Sequence, residues 1–192
     1  MVEPVTLLAQ KQVPGTYGAQ GLSAVVMGTR PVRGLSQIAG WDSFDKAAAP
    51  VLKSLGFAGL GDYRKAQVRG DVTTWRAAPG KILIEGAGDL SKYTSDALAV
   101  LDLGHARAVI TLEGSCARDV LSTVVALDMR ERTFPAGCYV QTVVHHVGVM
   151  IHCTGDDSFD IFVPASWAET IWDFVFCNAV SFGVIVKGPP DS

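Results

Sequence analysis

The sequence lacks the features of two large protein classes. It has no basic block, and 16 Lys and Arg against 19 Asp and Glu give a formal net charge of -3. The electrostatic footprint of a nucleic-acid-binding protein is therefore missing. Charged residues make up only 18% of the 192 residues, which is far fewer than a coiled coil contains. Nucleic acid is thus excluded as the expected partner, and a long helical rod as the expected fold.

Long hydrophobic runs are also missing. The most apolar stretch, 140–153, is interrupted by Gln141, Gly148 and three histidines, and no stretch approaches the roughly 18 consecutive apolar residues of a membrane span. The first 20 residues have no positively charged start followed by an apolar core, as a secretory signal has. We therefore expect no membrane insertion, no export and a cytoplasmic location.

Cysteine is sparse and scattered. Cys116, Cys138, Cys153 and Cys177 lie far apart, without any C-x-x-C pair, so a disulfide framework is not indicated. A nucleophilic cysteine requires a base held against its thiol, often at a strand-turn-helix elbow. The sequence around these four cysteines contains no such pattern. We expect reduced thiols that pack as small hydrophobic side chains.

Hydrophobic residues, in contrast, are abundant and make up 48% of the chain. Such a composition excludes intrinsic disorder, and the length suits one domain. Because so few charges are available to cover the surface, part of the apolar surface is expected to contact a partner rather than water. The composition indicates a globular subunit of a larger assembly.

Hydrophobic periodicity predicts two similar series of strands and helices. An N-terminal arm (1–20) and a C-terminal tail (188–192) flank a single domain (21–187), whose halves are about 21–104 and 105–187. The predicted strands are 22–29, 36–40, 71–78, 81–85, 99–103, 107–112, 138–144, 149–153, 158–163 and 180–187, and the predicted helices are 42–55, 89–98, 114–124 and 164–178. Each half resembles a ferredoxin-like split β-α-β unit, so the expected fold class is α+β, with the two halves packed together as an internal duplication.

Three histidines and a cysteine surround one predicted hairpin turn, and imidazole and thiolate are favoured zinc ligands. They are His145, His146, His152 and Cys153. The adjacent pair would point to opposite faces of a strand, and polar residues are expected at a hairpin tip without any ligand. We therefore favour a solvated turn, and a metalloprotein is the last of our hypotheses.

Two other patterns also have structural explanations. Gly86-Ala-Gly88 precedes a predicted helix, as in a phosphate-binding loop, but the full G-x-G-x-x-G pattern is absent and Asp89 suits a helix cap. The Asp156-Asp157 pair is typical of a turn between strands rather than of a calcium loop. The sequence predicts no catalytic, cofactor-binding or metal-binding residue.

The predicted helix from Ala165 to Asn178 is apolar over more than one stripe. One side packs on a sheet, and the rest is covered by a partner chain or, equally well, by the other half of this chain. Trp and Phe dominate the binding energy of many interfaces. The expected partner-interface residues are Phe134, Pro135, Trp167, Trp172, Phe174 and Phe176.

A combination of short motifs in the second half resembles one protein family. The motifs are DLGHARAVITLEG (102–114), ARDVL (117–121), LD (127–128), FPAG (134–137), QT (141–142), FDIFVPAS (159–166) and WDF (172–174). Together they resemble the gamma subunits of heterotetrameric sarcosine oxidases, within the wider folate-binding aminomethyltransferase-like fold. Ser115-Cys116 and the 124–126 stretch depart from the usual pattern of that family.

The resemblance implies an accessory, non-catalytic subunit of a cytoplasmic four-chain flavoenzyme that oxidatively demethylates sarcosine to glycine, with tetrahydrofolate as one-carbon acceptor. It implies that FAD, covalent FMN, NAD, zinc and tetrahydrofolate are bound by other subunits, and that this chain packs chiefly against the large alpha-like subunit. It also implies fold and interface roles for the matching positions Arg107, Gly114, Arg118, Asp128, Phe134, Gly137, Thr142 and Pro164.

Two alternatives stay open at this point. The first is a free-standing folate-binding protein or one-carbon transferase of the same fold, although 192 residues leave room only for the core of such an enzyme. The second is a gamma-like subunit of a related N-methyl amino acid dehydrogenase.

Overall fold

The computed structural model describes residues 8–18 and 24–189. They form two compact units: unit 1 combines the described residues up to Pro31 with those from Ala106 onward, and unit 2 is Val32–His105. In chain order, the elements are β1 (Gly15–Tyr17), β2 (Val25–Arg30), β3 (Leu35–Ala39), α1 (Phe44–Ser54), β4 (Gln67–Arg69), β5 (Val72–Ala78), β6 (Lys81–Glu85), β7 (Ala99–Asp102), β8 (Arg107–Glu113), α2 (Ala117–Val124), β9 (Tyr139–Val144), β10 (Val147–Gly155), β11 (Ser158–Pro164), α3 (Ala168–Ala179) and β12 (Val184–Val186). The predicted α+β class is confirmed. No helix in the described ranges is both long and apolar enough to cross a membrane.

Seven strands form the sheet of unit 1, in the order β1-β12-β2-β8-β11-β10-β9. Neighbouring strands are antiparallel except β12 and β2, which are parallel. The register sets Leu112 opposite Phe159 and Ile110 opposite Ile161. Because side chains alternate along a strand, these four lie on one face of the sheet, where they form part of one hydrophobic core.

Helices α2 and α3 complete the core of unit 1. In α2, Ala117, Val120, Leu121 and Val124 are buried, which is the i, i+3, i+4, i+7 spacing of one helical face. The buried residues of α3 include Ile171, Trp172 and Val175, and all of these side chains belong to the same core cluster. The hydrophobic spacing of each helix therefore matches the face that it buries.

Unit 2 contains a five-stranded antiparallel sheet in the order β4-β5-β6-β3-β7. Helix α1 contributes Phe44, Ala48, Val51 and Leu52 to a second core. The predicted helix forms even though it contains Pro50, which lies inside α1 at an exposed position. The strands contribute Ile38, Ile82 and Ile84 to this core.

The predicted helix over 89–98 is wrong. Only a single 3-10 turn forms there, at Ser91–Tyr93. The Asp89 carboxylate accepts hydrogen bonds from the backbone N–H of Ser91 (2.8 Å) and from its hydroxyl (3.0 Å). This local turn competes with a helix, because Asp and Ser offer the backbone a side-chain alternative to helical hydrogen bonds. A bridge between Ser95 and Leu98 then leads into β7.

The partition of the chain differs from the predicted division near residue 104. The predicted first half includes strand β2, but in the structure β2 pairs with β8 and β12 and belongs to unit 1. Part of the predicted arm belongs to unit 1, since β1 pairs with β12 and Leu8 is buried. Residues 1–7 and 19–20 of the predicted arm, residues 21–23 at the start of the predicted domain and residues 190–192 of the predicted tail lie outside the described residues.

Candidate functional site

Arg118, in the first turn of α2, joins several parts of unit 1. Its guanidinium donates hydrogen bonds to the carbonyl oxygens of Met129 (2.7 Å) and Phe134 (2.9 Å) and pairs with the Asp157 carboxylate (3.2 Å). The same group lies over the ring of Phe159, 5.1 Å from its centre. Arg118 therefore fastens the connection between α2 and β9 to the core.

A second polar cluster shapes the same connection. The Asp128 carboxylate accepts hydrogen bonds from the Arg130 side chain at 2.6 and 2.7 Å, from the Arg130 backbone N–H at 3.1 Å and from the Thr133 hydroxyl at 3.0 Å. The Arg130 guanidinium is the largest of the causes that hold the pKa of Asp128 well below its usual range. This carboxylate stabilises a turn, and its donors leave it little freedom to act as a base.

The six predicted interface residues occupy two different environments. Phe134 stacks on Phe159 with ring centres 6.5 Å apart, and both are buried in the core of unit 1. Trp172 is also buried, at 2% exposure, and Pro135 is half-buried. Phe134 and Trp172 therefore hold the core together and offer no exposed surface in this chain.

Other parts of unit 1 cover much of the apolar excess of α3. The ring of Phe174 contacts that of His145 at 4.9 Å, and Phe176 meets Tyr17 edge-on at 5.2 Å. The hairpin tip and β1 thus cover part of Phe174 and Phe176, two of the predicted interface residues. Trp167, just before α3, stays 49% exposed, and it is the predicted interface residue that presents the largest apolar surface.

The two histidines form the tip of the β9–β10 hairpin. His145 and His146 have φ values of 46° and 69°. Val144 and Val147, on either side of this two-residue loop, pair with each other. Positive φ at both central positions is the requirement of a type I′ turn. In the part of the chain that the structure describes, no three side chains of His, Cys, Asp or Glu converge as metal ligands.

The four cysteines are free thiols with different exposure. Cys138 and Cys153 are buried, Cys116 is half-buried and Cys177 is exposed. Burial raises the pKa of the Cys153 thiol, and the nearby Arg118 guanidinium only partly offsets this effect. Cys153 is therefore a neutral thiol at neutral pH and a poor nucleophile, because the thiolate is the reactive form.

The glycine and aspartate patterns are structural as well. The backbone N–H of Gly86 donates to the carbonyl of Arg33 at 2.8 Å, so it is already occupied and cannot bind an anion. The φ of Gly86 is 83°, a conformation that favours glycine. The Asp156-Asp157 pair turns the chain between β10 and β11, and the carbonyl oxygen of Asp157 accepts from Gly114 N–H at 3.0 Å.

Unit 2 contains a surface feature that the sequence analysis missed. Trp41, in the connection between β3 and α1, is 87% exposed and borders two adjoining clefts of about 380 and 520 Å³. One feature of the sequence could have indicated it. Trp41 stands between Gly40 and Asp42 in a predicted connection, where residues are usually small or polar.

Comparison with known proteins identifies the fold. The sequence model of the sarcosine oxidase, gamma subunit family matches residues 90–181, and no curated protein matches the chain. A chain of the heterotetrameric sarcosine oxidase from Corynebacterium sp. U-96, in complex with pyrrole 2-carboxylate, is 20% identical with a TM-score of 0.77, covering 91% of this chain and 93% of that one. The glycine cleavage system aminomethyltransferase T from Bartonella henselae is 14% identical with a TM-score of 0.59, covering 92% of this chain and 56% of that one. The resemblance to sarcosine oxidase gamma subunits and the aminomethyltransferase-like fold are both confirmed.

Proposed function

We propose that this chain, whose residues 90–181 match the sarcosine oxidase gamma subunit family, is the gamma subunit of a heterotetrameric, flavin-dependent sarcosine oxidase. The family match carries the proposal. It is supported by the fold, which extends over 93% of a chain from a solved heterotetrameric sarcosine oxidase. The partners of this chain are then the other subunits of the complex, and chiefly the large alpha-like subunit.

In this assembly the chain has an accessory role. The complex oxidatively demethylates sarcosine to glycine in the cytoplasm, and tetrahydrofolate accepts the one-carbon unit. FAD, covalent FMN, NAD, zinc and tetrahydrofolate are bound by the other subunits. The structural roles of Arg118 and Asp128 support this division of labour, because their side chains bind segments of this chain rather than a cavity.

Exposed apolar side chains of unit 1 provide contact surface for other subunits. Trp167, Val143 and Leu127 are 49%, 59% and 40% exposed. Trp is enriched among residues that dominate binding energy, whereas isolated Val and Leu side chains are normal on any surface. We therefore expect Trp167 to contribute more to assembly than Val143 or Leu127.

The decisive experiment is purification of the tagged chain from its own host, with the associated chains identified by mass. The expected result is a yellow complex with three further kinds of chain, which produces hydrogen peroxide when sarcosine is added. A colourless chain that elutes alone would contradict the proposal. A yellow complex that responds to N-methylglutamate and not to sarcosine would instead identify a related N-methyl amino acid dehydrogenase.

One observation favours a second candidate, a folate-binding protein or one-carbon transferase. The fold matches an aminomethyltransferase over 92% of this chain, although the chain spans only 56% of that enzyme. Titration of the isolated chain with tetrahydrofolate separates the two proposals. An accessory subunit shows no saturable binding, whereas stoichiometric binding would support the second candidate.

A further inference from the structure

Trp41 is the most exposed large hydrophobic side chain in the described ranges, at 87%. Its position is fixed by its neighbours, because its carbonyl oxygen accepts from the Phe44 N–H at 2.9 Å and Phe44 is buried in the core of unit 2. In contrast, Trp75 and Trp172 are buried, at only 1% and 2% exposure. A bare indole on an anchored backbone is unusual for a surface that faces only water.

Two clefts meet at this indole. The smaller, of about 380 Å³, is lined by Trp41, Asp42, Ser43, Asp96 and Ala97. The larger, of about 520 Å³, shares Trp41, Asp96 and Ala97 with it and continues along a mixture of small and longer side chains. The small residues there include Ala39, Gly40, Ala78, Gly80 and Ala99, and Lys81 is a cationic lining residue.

Two glycines keep the floor of the larger cleft narrow and free of side chains. The Gly40 N–H donates to the Gly80 carbonyl at 3.0 Å. A Cβ on Gly40 would lie 2.5 Å from the carbonyl oxygen of Ala97, and one on Gly80 would collide with the Gly40 carbonyl. Close approach of three backbone segments therefore requires glycine at both positions.

Asp42 and Asp96 place two carboxylates beside Trp41 in the smaller cleft. Asp42 precedes α1, but the N-cap residue is Ser43 and no side chain caps the helix. Across the described residues, neither the Asp42 nor the Asp96 carboxylate has a hydrogen-bond or ion-pair partner. In contrast, the nearby Asp45 lies 4.0 Å from the Arg76 guanidinium. The smaller cleft therefore combines an exposed indole with two carboxylates that no other described residue pairs with.

We propose that the smaller cleft binds an Arg or Lys side chain on an extended segment of another subunit; this rests on the function proposed above. Trp is the aromatic residue that attracts a cation most strongly, and carboxylates accept charge-assisted hydrogen bonds from a guanidinium. The alanine and glycine positions of the larger cleft suit a small uncharged neighbour in the segment, and Lys81 there repels a second cation. The polarity of the clefts thus specifies a basic residue followed or preceded by small apolar ones.

The first test does not depend on the complex. The purified full chain is titrated with the peptide acetyl-Gly-Arg-Gly-amide, and tryptophan fluorescence is followed. We expect a saturable change over roughly 1–50 mM peptide, absent with the citrulline analogue at matched ionic strength and absent in W41F. The double variant Asp42→Asn/Asp96→Asn should bind about tenfold more weakly, while Asp71→Asn and Trp167→Phe keep wild-type affinity. Equal responses to the two peptides, or no Trp41-dependent response, would overturn the proposal.

The second test uses the assembled complex. A photoreactive p-benzoylphenylalanine at position 41 should crosslink to a segment of another subunit that contains Arg or Lys. W41A and the double Asn variant should each lower recovery of the complex by at least about threefold, and the loss should grow with salt. A crosslink to a second copy of this chain, or full recovery of the complex by both variants, would overturn the partner assignment. Failure of the wild-type chain to recover any flavin subunit would refute the proposed function, while the peptide titration still decides whether the cleft binds a cation.

Discussion

The guanidinium carbon of Arg118 lies over the ring of Phe159, 5.1 Å from the ring centre. The contact joins the first turn of α2 to strand β11 of the seven-stranded sheet in unit 1. Because the Arg118 side chain is only 13% exposed, its hydrogen bonds to main-chain oxygens cannot be replaced readily by water. One side chain thereby stabilises a helix, a strand and a long connection.

Arg118→Met should lower the free energy of unfolding by about 2–4 kcal/mol, because it leaves buried carbonyl oxygens without donors. Urea unfolding followed by circular dichroism measures this loss. Arg132→Met, in the same connection, is a matched control, since Arg132 is exposed and has no hydrogen-bond partner among the described residues. A similar midpoint for the two variants would contradict the structural role of Arg118.

Local patterns predicted most of the helices and strands of both units. The apolar spacing of Ala117, Val120, Leu121 and Val124 specifies the inner face of α2, and the Pro79-Gly80 dipeptide joins β5 to β6 as a tight turn. Such signals depend on residues that are close in sequence. They are available without knowledge of the rest of the chain.

The long-range pairing could not be predicted in the same way. The register of Val26 opposite Glu113 places β2 in the seven-stranded sheet of unit 1, and no local pattern near β2 distinguishes β8 from β3 as its partner. Strand β1 has only three residues, so alternation is too short to reveal it. The exposure of Trp41 was also hidden, because an aromatic residue near a helix start is normally expected in the core.

Gly114 should not tolerate a side chain. Its φ is 112°, and a Cβ there would collide with the carbonyl oxygen of Ala24, which also accepts from the Cys116 N–H. Gly114→Ala is therefore expected to cost more than about 2 kcal/mol through backbone strain and steric conflict. Thermal unfolding with Gly148→Ala as control tests this, because nothing lies within 4 Å of a Cβ at Gly148. Equal melting temperatures for the two variants would refute the explanation.

His146→Gly should stabilise the hairpin, in contrast to most substitutions by glycine. His146 has a φ of 69°, a conformation that costs a non-glycine residue about 1–2 kcal/mol, whereas glycine loses about 0.5–1 kcal/mol through chain entropy. A net gain of about 0.5–1 kcal/mol should raise the Tm by roughly 2–3 °C. His105→Gly, at an exposed position without positive φ, should leave the Tm unchanged or lower it. A lower Tm for His146→Gly would show that its ring contact with His145 outweighs the backbone strain.

The charge of Asp128 should contribute to stability at neutral pH and lose this effect in acid. The hydrogen bonds of Arg130 lower the pKa of Asp128 in the folded chain, so the folded state favours the carboxylate more than the unfolded state does. The contribution is therefore complete above the unfolded pKa of about 3.9 and disappears as the pH falls toward the lower folded value. Asp128→Asn keeps the shape of the side chain and removes the charge.

The expected result is a higher urea midpoint for the wild type than for Asp128→Asn at pH 6, with a gap that closes progressively below about pH 4. The gap should also shrink in about 1 M NaCl, because the pair is partly exposed and salt screens it. Glu131→Gln is the control, since Glu131 is exposed and forms no hydrogen bond among the described residues; its profile should follow that of the wild type. A gap that persists unchanged at low pH and high salt would mean that the Asp128 side chain acts through its shape and neutral hydrogen bonds rather than through its charge.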